Sequence, residues 1–99
     1  MKVFPLLAVA MLLMSGPALA NPIERACNAS DRSAATRTMC ACIGAAADST
    51  LSRGDMRTGA RFFDDPQRAQ AVRTSDRASD ERFWDRWRSF GEVAQRMCS

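Results

Sequence analysis

Four cysteines carry the most reactive chemistry in this chain: Cys27, Cys40, Cys42 and Cys98. As thiolates they could exchange disulfides or hold a soft metal, and Met39 and Met97 each stand immediately before a cysteine. Met39, Cys40, Cys42, Met97 and Cys98 therefore supply the donor types of a Cu(I) carrier or a redox centre. Most other chemistry is excluded by composition. The chain has no His and no Tyr, and Lys2 is its only lysine. Ser-His-Asp and Cys-His pairs, imidazole ligation and Schiff-base catalysis are all out of reach. Adjacent Asp64 and Asp65 could hint at calcium, but that ion takes about six to eight oxygens, and capping a helix needs only one. No paired base or nucleophile supports an enzyme, so the expectation is a non-enzymatic protein without a cofactor.

Which cysteine chemistry applies depends on the compartment. Met1-Lys2, the apolar run Val3 to Met14 and the Ala18-Leu19-Ala20 triplet have the order of a cleavable signal peptide. The run is shorter than the roughly 20 residues a spanning helix needs. Residues 1–20 are thus expected to be removed before Asn21. This leaves one domain over 21–99, periplasmic or secreted, with no membrane span. In an oxidising compartment an even cysteine count in a short chain reads as a disulfide framework rather than a metal site. Cys40 and Cys42 on one helix point about 200° apart, so they do not pair with each other. Two arrangements remain, Cys27–Cys40 with Cys42–Cys98, or Cys27–Cys42 with Cys40–Cys98. Each ties both ends of the domain to a central helix.

The elements that must position these residues are all helical. Asn21-Pro22 with Glu24 reads as a short first helix to about Cys27, with Asn21 fraying as a free terminus. Ala35, Met39, Ile43, Ala46 and Thr50 recur at helical spacing over about Ser33 to Leu51. The opposite side of that helix, with Ala41, Gly44 and Ala45, is small enough for close approach or a partner groove. Ser52-Arg53-Gly54-Asp55 has the form of a capping box and opens a helix with Met56, Ala60 and Phe63 inward. Asp65 would cap a helix from Pro66 to about Asp76, with Ala69 and Val72 as its apolar edge. Ser79 with Asp80 and Glu81 would start the last helix. Its stripe is Phe83, Trp87, Phe90, Ala94 and Met97, while Trp84 shares a flank with Gly91 and Cys98.

The surface is built from arginine. Setting Lys2 aside, 21–99 carries thirteen Arg against eleven carboxylates, a formal +2. Seven Arg meet six acids between Arg61 and Arg88, and pairs such as Asp64/Arg68, Asp85/Arg88 and Glu92/Arg96 fall at helical contact spacing. That balance argues against a nucleic-acid surface. Arg53, Arg57 and Arg61 differ, because i, i+4, i+8 spacing sets three like charges in one row beside Asp55. The row invites an anionic group or acidic partner. Phe62 and Trp84 stand off the regular stripes and complete the candidate partner-binding set with the row.

Ala26-Cys27-Asn28, Ser30-Asp31-Arg32-Ser33, Cys40-Ala41-Cys42-Ile43, Phe62-Phe63-Asp64-Asp65-Pro66, Phe83-Trp84, Phe90-Gly91 and terminal Cys98 form a further pattern. In it the chain resembles a small exported bacterial four-cysteine family whose members are sometimes labelled "arginine transporter". The resemblance spans nearly all of 21–99 and rests on specific cysteine spacing. It implies the cysteine framework and brings no activity or binding residue with it. A permease needs several spanning segments, so the label taken physically points to an accessory component of a transport or envelope system. The sequence thus predicts an all-α domain, a small disulfide-stapled bundle of four to five short helices. Its expected role is that of an interaction module for a protein partner or anionic ligand.

Overall fold

A computed structural model describes residues 20–99, so the expected signal peptide, apart from Ala20, lies outside the described residues. The chain forms five helices: α1 (Pro22–Ala29), α2 (Arg37–Thr50), α3 (Arg53–Asp64), α4 (Pro66–Arg73) and α5 (Ala78–Cys98). The domain is all-α, with no strand among the described residues. Two disulfides staple it.

Local chemistry sets most helix starts. Asn21 Oδ1 accepts from the Glu24 N–H at 2.9 Å, and Pro22 supplies a first-turn residue that lacks an N–H anyway. The expectation that Asn21 frays is overturned. Its side chain donates to the Gly44 carbonyl at 2.8 Å and to Asp48 Oδ1 at 3.0 Å, and the residue is only 5% exposed. Those bonds dock the start of α1 onto α2. Helix α2 begins later than expected because residues 32–36 close on themselves, with Ala35 N–H donating to Arg32 O and Thr36 N–H to Ala34 O. Thr36 then caps it, accepting from Met39 N–H at 3.1 Å. Ser52 caps α3 as expected, accepting from Asp55 N–H at 3.0 Å.

Two expected caps are not made. Asp65 precedes α4 but its side chain makes no capping bond, and its carboxylate faces Arg68 at 3.7 Å instead. Arg68 therefore pairs with Asp65 rather than with Asp64. Ser79 lies inside the first turn of α5, whose capping position is Arg77. There Asp80 and Glu81 still meet the positive end of the helix dipole.

The core is small and is centred where α1, α2, α3 and α5 converge. Ile23, Ala46 and Ala47 are fully enclosed, with Leu51, Met56 and Phe90 around them. Full burial of Ile23 contributes about 1.5–3 kcal/mol. Beside this lies an aromatic seam. Phe62 meets Phe83 and Trp87 edge-on at centroid distances of 6.0 and 5.2 Å, and Trp87 tilts against Phe90 at 4.9 Å. Two glycines make these approaches possible. A Cβ on Gly44 would lie 2.8 Å from Glu24 Cβ, and one on Gly59 would overlap the six-membered ring of Trp87. A Cβ on Gly91, which shares the Trp84 and Cys98 flank of α5, would meet open space.

Candidate functional site

Helix α2 presents its two cysteines to different neighbours. Cys40 is fully buried towards α1, and Cys27 meets it with Cα atoms 5.5 Å apart. Cys42, about 200° further around the helix, faces α5 and is bridged to Cys98 at a Cα separation of 5.8 Å. Of the two arrangements the sequence left open, the Cys27–Cys42 with Cys40–Cys98 pairing is therefore corrected. No described cysteine is free. In this bridged state Met39, Cys40, Cys42, Met97 and Cys98 offer no thiolate to a metal. Met97, expected on the buried stripe of α5, is 49% exposed.

The arginine row lies on the side of α3 away from the core. Met56, Gly59 and Phe62 are that helix's buried face, whereas Arg53, Arg57 and Arg61 are all exposed. Among the described residues none of the three has a carboxylate within 4.0 Å. The acid expected to relieve the row is engaged elsewhere. Asp55 accepts a bidentate pair from Arg86 of α5, Nε at 2.7 Å and Nη2 at 3.0 Å. These hydrogen bonds hold the Arg86 guanidinium above its ordinary pKa. Arg88 pairs with Asp85 at 3.3 Å as the spacing predicted. No bond forms between Glu92 and Arg96 among the described ion pairs.

The two aromatic candidates do not join this row. Phe62 is 7% exposed and belongs to the aromatic seam, which corrects its placement as an exposed contact. Trp84 is half-buried and stands on α5 about 200° from Arg86, the residue that ties α5 to α3.

A second surface was missed by the sequence reading. Met39 and Ile43, read as inward-facing, are only partly buried and form a ridge of α2 that lines adjoining hollows. One hollow, of about 250 Å³, is bounded by Cys27, Arg32, Ala35, Met39, Ile43 and Phe63. Across Met39 and Ile43 lies another, walled by Gly91, Ala94 and Cys98. Across Arg32 and Phe63 lies a third, floored by Phe62, Ala69 and Trp87. The available signal was width: Met39, Cys40, Ile43, Ala46 and Ala47 span a broader apolar arc than one neighbouring helix covers.

Set against protein-family models, curated proteins and solved structures, the chain matches none. Fold and bridges define its class, a small two-disulfide all-α domain. Among the described residues no helix is long and apolar enough to cross a membrane, and no three His, Cys, Asp or Glu side chains form a metal-holding group.

Proposed function

We propose that this protein is a non-enzymatic, exported helical interaction module, an accessory component of a transport or envelope system whose partner is acidic. The observation that carries the reading is the exposed row Arg53, Arg57 and Arg61, none of which pairs with Asp55, already bound by Arg86, or with Asp64 one turn beyond Arg61. Three like charges at i, i+4 spacing cost their helix stability. An acidic partner surface relieves that cost on docking, and it also speeds encounter through long-range attraction. Arginine suits the task because its planar fork binds carboxylates in bidentate fashion. Both bridges fit an oxidising compartment such as the periplasm, in line with the export signal read from the sequence. Trp84 is a separate, half-buried candidate contact.

The test is cross-linking in the intact envelope, with partners quantified by mass spectrometry for the wild type and for the combined Arg53→Glu, Arg57→Glu and Arg61→Glu variant. Loss of a reproducible acidic partner, with helicity unchanged, is expected. If the triple variant retained every partner of the wild type, the row would have no docking role. Free thiols in the exported protein, read by alkylation and intact mass, would bring back the copper-carrier or redox alternative built on Cys40 and Cys42.

A further inference from the structure

From the ridge of α2 and the hollows beside it, we infer that the protein binds a single-chain anionic amphiphile, an acyl carboxylate, with the chain along the Met39 and Ile43 ridge and the head group on Arg32. This site is independent of the arginine row on α3.

The hollows adjoin through shared wall residues along one face of the domain, a trough interrupted by those side chains. Arg32 and Phe63 border two of them, and Met39 and Ile43 border another pair. Around the central hollow the polar side chains are Ser30 and Arg32. The Ser30 hydroxyl is already used, donating to the Cys27 carbonyl at 2.9 Å. Arg32 is exposed, sits over the Phe63 ring at 5.8 Å from its centroid, and has no carboxylate within 4.0 Å among the described residues.

That inventory selects the ligand. In the central hollow a sugar or an extended peptide would bury polar groups against walls that offer them few partners, at a cost for each group left unpaired. A partner helix, about 10–12 Å across, is too thick for hollows of about 250 Å³. A flexible hydrocarbon chain fits both the narrow section and the apolar lining. The one charged side chain among the residues that line these three hollows is the Arg32 guanidinium, which calls for one carboxylate at the end of that chain. The trough is also preorganised. Met39 and Ile43 flank Cys40 and Cys42, each cross-linked to a different helix, so the ridge cannot turn away from the ligand.

The probe is dodecanoate, titrated into the oxidised, exported protein below its micelle concentration by calorimetry and by indole emission, since Trp87 lines one end of the trough. One site per chain is expected. Arg32→Gln should weaken dodecanoate by about tenfold or more while leaving the uncharged 1-dodecanol within about twofold. Arg53→Gln, Arg57→Gln and Arg61→Gln combined should leave the site intact. Absence of saturable binding would overturn the inference. So would equal weakening of acid and alcohol by Arg32→Gln, loss of dodecanoate binding in the row variant, or a dimer in sedimentation that a trough variant such as Ile43→Asp dissociates.

Discussion

The corner between α1 and α2 and the seam between α3 and α5 solve one packing problem with different chemistry. At the corner, small residues bring two backbones close and directional links hold them: Cys27–Cys40, the Asn21 bonds to Gly44 and Asp48, and the enclosed Ile23. At the seam, large rings interlock over one glycine, with Phe62, Phe83, Trp87 and Phe90 stacked or edge-on and Gly59 beneath Trp87. The corner depends on specific bonds, and the seam depends on volume. A domain this size buries too little apolar surface to rely on volume alone.

The largest effect should come from the bridge that joins the two regions. Replacing Cys42 and Cys98 by Ala opens a link across 56 residues and should cost about 4 kcal/mol by loop-closure entropy, against about 3 kcal/mol for Cys27 and Cys40 across 13. Denaturant unfolding of the two double variants measures both, and a reversed order would show that the corner outweighs the connection.

Gly59→Ala should destabilise by about 2–3 kcal/mol, because its methyl displaces the Trp87 ring from the seam. Near-ultraviolet circular dichroism and unfolding would register the loss, and a neutral result would mean the rings repack freely. Asn21→Ala should cost about 2 kcal/mol through a lost cap and two lost bonds at a buried position. Hydrogen exchange should then rise first in α1, leaving the amides of α5 protected. The smallest effect is expected for Asp55→Asn, a slight loss that fades with added salt, since the partner Arg86 is solvent-exposed.

Legibility from sequence followed the same division. The seam announced itself: Phe83, Trp87 and Phe90 sit at regular spacing, and volume-driven packing leaves a periodic trace. The Ser52 cap was equally local. At the corner, the burial of Asn21 depends on residues 23 and 27 positions away, a separation no local pattern records. Phe62 was misplaced for a related reason. Its helix rotates by about one residue to put Gly59 under Trp87, which carries Phe62 inward and leaves Phe63 at the trough. The arginine row was legible as spacing. The engagement of Asp55 by Arg86 was not, because the partners lie 31 residues apart.

The order of the bridges along the chain also bears on how the domain matures. Cys27 pairs with Cys40, and Cys42 with Cys98, so each bridge joins consecutive cysteines and neither encloses the other. A chain delivered from its N-terminus presents the partners of the first bridge before Cys98 emerges. An oxidase acting in order of emergence therefore reaches the native connectivity without an isomerase, provided Cys27 captures Cys40 ahead of Cys42.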